Sequence, residues 1–174
     1  MITHKILTLL SIAILVFSCS KDDEKPSIDE TLLPGTWEIL DLDYTGTTTT
    51  TAMGISVGST FVGTIVENTV EINITSDPNE FTSSGSYTMD VKSTSMGQTV
   101  TTQIIVPYMI QDGNWTIEGD KFKVSDSGSA VEEATILQLD ATTFILQIDS
   151  KTSAMVNGFS TVTDLHVKYT LGRI

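Results

Sequence analysis

The sequence predicts an all-β domain, an antiparallel up-and-down β-barrel of about 8–10 strands. Three observations predict it. Apolar residues recur at every second position in short runs from Leu32 to the C-terminus, which is the period of a half-buried strand. Turn residues separate those runs at intervals of roughly 8–12 residues, the spacing of sandwiches and barrels. No stretch of the domain carries apolar residues at helical period. Short turns between antiparallel neighbours make a meander, and a meander loses its exposed edges best by closing on itself.

The N-terminus stands apart from this pattern. His4 and Lys5 precede Ile6 to Phe17, an almost unbroken apolar run interrupted by Thr8 and Ser11. That run is shorter than the roughly 20 residues a membrane-spanning helix needs, so it reads as a secretory signal peptide over residues 1–18. Cys19 follows directly and is the single cysteine of the chain. Residues 19–31 are polar, contain Pro26 and lack an apolar period, so they read as a disordered tether. The barrel domain is assigned to 32–174.

Within it, Trp37, Ile39 and Asp41 alternate with Glu38, Leu40 and Leu42, so the first strand reads as apolar on both faces. Val70, Ile72 and Ile74 share one face of the next clear run. Tyr87, Met89 and Val91 share a face of another, and a Thr- and Gln-rich strand runs from Gln98 to Val106. Trp115 and Ile117, then Phe122 and Val124, flank a hairpin turn at Glu118-Gly119-Asp120-Lys121. Ile136 to Leu139 is a short strand. Phe144, Leu146 and Ile148 share a face of the following strand, and Leu165, Val167, Tyr169 and Leu171 a face of the last. Asp77-Pro78-Asn79 and Asp140-Ala141-Thr142 mark turns. Thr45 to Gly63 breaks the rhythm, being rich in Thr, Gly and small apolar residues. It reads as an extended strand pair at an edge, or else as a long loop over one barrel mouth. Threonine's preference for extended backbone favours the strands.

Composition narrows the function classes. The chain carries 9 basic and 22 acidic side chains, a net charge of −13, and loss of the leader removes Lys5 as well. An acidic exterior argues against nucleic acid, whose phosphates require a basic face, and against adhesion to an anionic lipid surface. With Cys19 outside the domain no internal disulfide can form, so the fold rests on its core.

No catalytic constellation emerges. His166 is the one histidine after the leader, and alternation turns it outward with Lys168 and Thr170. That leaves a Ser/His/Asp hydrolase without its base. No Gly-x-Ser-x-Gly elbow, zinc-ligand cluster or phosphate-binding Gly-rich loop is present, so no cofactor and no metal are expected. The carboxylate pairs are Asp22/Asp23 in the tether, Asp41/Asp43 on one side of a strand, and Glu132/Glu133, read as a solvated turn. Asp41/Asp43 lacks the remaining oxygen ligands a calcium ion takes. Neither domain pair implies glycosidase chemistry.

Two resemblances add to this reading. Val16-Phe17-Ser18-Cys19 resembles the lipobox of bacterial lipoproteins, with Phe17 departing from the usual small or aliphatic residue. Ser20-Lys21-Asp22-Asp23-Glu24 resembles the export signal of surface lipoproteins in the Bacteroidetes. They imply lipidation of Cys19, an outer-membrane location and exposure at the cell surface. Two or more acyl chains give stable anchoring, at about 0.8 kcal/mol per buried methylene. A cleaved secretory peptide with an incidental cysteine is the alternative. In the domain, Leu33-Pro34-Gly35-Thr36-Trp37-Glu38-Ile39 resembles the opening of bacterial lipocalin-like lipoproteins. Ser76 to Phe81, Gly85-Ser86-Tyr87, Gly113 to Phe122 and Ala134 to Leu139 are similar to the same group. This resemblance implies a structural signature of Gly35, Trp37 and Arg173, with the arginine after the last strand beside the tryptophan. It also implies a barrel holding a small apolar or amphipathic ligand. Tyr87, Met89, Trp115, Phe122, Phe144 and Leu146 are then the residues to line a cavity, or to fill the barrel as packed core. The expected function is a lipid-anchored, non-enzymatic envelope protein that binds such a ligand. The rival is an envelope protein-interaction module with a filled barrel, joined to a protein partner through a strand edge near Thr47–Thr51.

Overall fold

A computed structural model describes residues 28–107, 109–126 and 131–174. Cys19, the leader and most of the tether lie outside the described residues. Ile28 packs against the core and Glu30–Leu32 form a 3-10 turn capped by Asp29. Residues 28–32 thus already take part in the fold ahead of β1.

Eleven strands follow: β1 (Gly35–Ala52), β2 (Ile55–Asn68), β3 (Glu71–Ile74), β4 (Glu80–Ser84), β5 (Tyr87–Ser95), β6 (Gln98–Val106), β7 (Gly113–Glu118), β8 (Lys121–Ser125), β9 (Glu132–Leu139), β10 (Thr143–Val156) and β11 (Phe159–Arg173). All pairings are antiparallel. Several of these strands are halves of longer ones. β2 and β3 both pair with β1, β4 and β5 continue one another across Gly85, and β6 and β7 lie in one line beside them. The result is an up-and-down meander that closes where β11 returns to β1, an eight-stranded barrel.

Closure is confined to one end of the molecule. There the ring runs β1–β3–β4–β7–β8–β9–β10–β11. Beyond it β7, β8 and β9 have ended, and the other strands continue as an open sheet in the order β10–β11–β1–β2–β5–β6. Three tight hairpins finish this sheet, turning at Met53-Gly54, Met96-Gly97 and Asn157-Gly158, with every one of these residues at positive φ. Such two-residue turns match the right-handed twist of the flanking strands.

One bulge decides the phase of β1. Ile39 faces Leu171 while Asp41 faces Thr170, so Leu40 is an extra residue. The alternation expected for this strand is corrected accordingly. Trp37, Ile39 and Leu42 are buried, and Leu40 and Asp41 point out. A bulge lets a strand that reads as apolar on both faces keep a single inward row. Leu40 instead covers Gly172, where an added Cβ would meet it at 2.6 Å.

Thr45 to Gly63 is a strand hairpin, and Thr47–Thr51 is not an edge. Those residues pair with β11 on one side and β2 on the other. Among the described residues the longest free edges are β6, bonded to β5 alone, and the part of β10 beyond Gln147. Glu132 and Glu133 belong to the start of β9 rather than to a turn. Glu132 accepts the Gln111 N–H at 3.0 Å and Glu133 lies 3.7 Å from Lys121.

Candidate functional site

The closed end is built on Gly35, Trp37 and Arg173. Trp37 is fully buried, and its indole N–H donates to the Leu33 carbonyl at 3.0 Å. The Arg173 guanidinium carbon lies 4.2 Å from the Trp37 ring centroid. Its Nε donates to Ala141 O at 2.8 Å, its Nη1 to Pro34 O at 2.7 Å, and its Nη2 to Leu32 O. One side chain thus ties the entry of β1, the β9–β10 turn and the chain end together, and cation–π attraction holds it on the indole. Gly35 has φ +149°, and a Cβ there would sit 2.0 Å from Arg173 Nη1. No other residue leaves room for the guanidinium.

Tyr87, Met89, Trp115, Phe122, Phe144 and Leu146 all lie inside the barrel, each no more than 3% exposed. They pack on one another and on residues that the sequence reading did not single out. Phe144 meets Trp37 and Phe122, each at 5.7 Å between ring centroids. Phe122 meets Phe81 at 5.9 Å and stacks on Trp115 at 6.3 Å. The Trp115 indole donates to Thr75 O at 2.7 Å. Tyr87 and Tyr169 hydroxyls face each other at 3.0 Å, and burial raises both phenol pKa values. Aromatic side chains therefore fill the closed end, as side chains do in narrow barrels.

Beyond this floor, open space lies on both faces of the extended sheet: beside Thr47, Thr49, Thr60 and Thr94 on the outer face, and on the concave face that continues the barrel interior. Thr48, Thr50, Val57, Ser59, Ser93 and Val100 line an open cleft of about 410 Å³. Cross-strand register sets them on one face. Thr48 lies opposite Ser59 and Thr163, Thr50 opposite Val57, and Ser93 opposite Phe61 and Val100. Hydroxyls bridge Thr48 to Thr163 at 3.1 Å and Thr50 to Thr161 at 3.3 Å. Residues 45–66, 93–111 and 152–163 contain no ionisable acid or base apart from Tyr108. The cleft is accordingly lined by hydroxyls and small apolar groups, a surface suited to an uncharged amphipathic molecule.

The remaining sequence features are dispersed. His166 is exposed on the outer face with Nδ1 at 2.6 Å from Asp149. Asp149's carboxyl is held below the usual range by hydrogen bonds from Gln147 and then His166. Asp43 lies 3.8 Å from Lys168, and no cluster of three metal-ligating side chains occurs among the described residues. Compared with known families, with curated proteins and with solved structures, the chain matches none.

Sequence reading missed the cleft because a run of threonines offers no apolar contrast between its two faces. The signal that marks it is the absence of charge over three separate segments of an otherwise acidic chain.

Proposed function

We propose that this chain is a lipid-anchored, non-enzymatic envelope protein of lipocalin-like type, which holds a small amphipathic molecule on the concave face of its open sheet. The observation that carries this reading is the uncharged cleft of Thr48, Thr50, Val57, Ser59, Ser93 and Val100 above a barrel end that is already full. Hydroxyls would orient the ligand, and burial of its apolar part would contribute about 25 cal/mol per Å². The lipobox-like Val16 to Cys19 supports the anchor and the outer-membrane location. An anchor at Cys19 would join the barrel at its closed end, where β1 begins. The 18 residues of β1 span about 60 Å at strand rise. The cleft and the hairpin tips would then face away from the lipid.

Titration with the neutral solvatochromic dye Nile red tests the reading. Saturable binding is expected that Val57→Asp abolishes and Val62→Asp, on the outer face, leaves intact. Binding insensitive to Val57→Asp refutes the cleft. Metabolic labelling with a fatty-acid analogue tests the anchor, which falls if labelling survives Cys19→Ala. The filled barrel favours a second reading, an envelope module that binds protein and no small ligand. Absence of any saturable dye binding selects it.

A further inference from the structure

We propose that β6 is the strand through which two copies of this chain join, antiparallel and centred on Thr102. Gln98 to Ile105 are all exposed, and β6 hydrogen-bonds to β5 alone among the described residues. Its sequence, Gln-Thr-Val-Thr-Thr-Gln-Ile-Ile-Val, has no proline, no glycine and no charge, and most of its residues are β-branched. Soluble proteins protect such an edge with lysine, proline, a bulge or a cover, because its unpaired N–H and C=O groups template another strand. The free edge of β10 is protected in this way. On β10, Lys151 pairs with Asp164 at 3.1 Å and Asp149 with His166 at 2.6 Å. β6 carries no comparable device.

Charge selects the partner. At a net charge of −13, copies of this chain repel one another over most of their surface. Residues 93–111 contain no Asp, Glu, Lys, Arg or His, so β6 is an edge along which two copies can approach without opposed carboxylates.

The strand is also self-complementary. A two-fold axis at Thr102 sets Val100 against Ile104 on the concave face, and on the convex face Thr99 against Ile105 and Thr101 against Gln103. The pairs Val100 with Ile104 and Thr99 with Ile105 are β-branched on both sides and of the stabilising kind. Val100, Ile104 and Ile105 are 63%, 37% and 72% exposed, and each is covered in the pair. The interface is isologous, so it closes at two copies. A nine-residue strand pair is small beside a standard interface, so the dimer belongs to the weak class.

Sedimentation of the full chain in mild detergent, over a dilution series from high to low micromolar, tests the proposal. A concentration-dependent dimer is expected. Thr101→Lys with Gln103→Lys places lysines of the two copies against each other and should weaken the dimer at least tenfold. Thr101→Glu with Gln103→Lys places a carboxylate of each copy against an ammonium of the other and should retain it. The substituted side chains are exposed in the monomer and flank Lys92 and Asp90 of β5, so near-UV circular dichroism should be unchanged in both variants. A wild-type monomer at every concentration overturns the proposal, as does equal dimerisation of the two variants. Loss of the dimer on Ser153→Lys, with the β6 variants unaffected, would move the interface to β10 and overturn it too. Val100 belongs to both the cleft and the pair, so sedimentation is run without dye, and the substituted positions 101 and 103 lie on the face opposite the cleft.

Discussion

At the scale of single residues, two side-chain arrangements carry the closed end. Arg173 gives up its contact with Trp37 and three hydrogen bonds to carbonyls when truncated. Stacking contributes about 0.5–2 kcal/mol and charged hydrogen bonds more than neutral ones. Arg173→Ala should therefore lower unfolding free energy by about 2–3 kcal/mol in urea denaturation. Arg173→Lys should recover less than half, since an ammonium cannot reproduce the planar fork. An unchanged midpoint for Arg173→Ala would remove the arginine from the account of closure. The Tyr87–Tyr169 pair behaves differently, because each buried hydroxyl satisfies the other. Either single change to Phe strands the remaining hydroxyl and should cost about 1–3 kcal/mol. Changing both removes the orphan with the bond, so the double variant should be more stable than the sum of the singles requires. Additive costs in that cycle would show that the hydroxyls are satisfied independently. Trp37 after Gly35 and Arg173 after the last strand could be picked out in the sequence, and the structure sets one on the other. The tyrosine pair could not be picked out, since Tyr87 and Tyr169 stand far apart in the chain and alternation assigns each a face without saying what it meets.

At the scale of elements, the β9–β10 turn is set by Asp140. Its carboxylate accepts the Thr142 and Thr143 N–H groups, each at 2.9 Å, the Thr142 hydroxyl at 3.1 Å and the Gln138 amide at 2.6 Å. These bonds favour the ionised form, the Thr142 N–H most of all, and hold the pKa at about 2 against an ordinary 3.8. Because the folded pKa lies below the unfolded one, the contribution is fully present above about pH 3.8 and is lost as pH falls through about 2. Between those values wild type should lose stability more steeply than Asp140→Ala, and the two curves should run parallel at neutral pH. Parallel curves across the acid window as well would show that the carboxylate is not held. The turn itself was plain from Asp140-Ala141-Thr142, whereas the bulge at Leu40 was not. A bulge leaves the letters of the strand unchanged and shows only in its partner, Ile39 facing Leu171 and Asp41 facing Thr170. Strand ends were equally hidden. β10 reaches Val156 and β11 starts at Phe159, well outside the alternating cores that announce them, because Thr, Ser and Ala there give no apolar period.

At the scale of the whole molecule, one sheet serves two unlike ends. Nearly all of the buried apolar side chains, from Trp37 to Leu171, lie at or near the closed end, while the extended sheet is covered by hydroxyls and small groups. Hydrophobic burial is the main favourable term in folding, so the open sheet draws its stability from backbone pairing and from its attachment to the barrel. Local openings of such a region need less free energy than global unfolding. Native-state hydrogen exchange should therefore divide the chain in two. Amides of β3, β4, β7, β8 and β9, with the lower parts of β1, β10 and β11, should exchange only through global unfolding. Those of 47–60, 93–104 and 152–163 should exchange faster and with weaker dependence on denaturant. Single strands should cross the boundary, β1 changing class between Leu42 and Thr47. That feature separates a two-part sheet from one with frayed ends. Uniform protection along β1 would mean that the open sheet is as stable as the barrel. The filled floor and the uncharged cleft would then be parts of one cooperative unit, and ligand in the cleft would stabilise the whole chain rather than the open sheet alone.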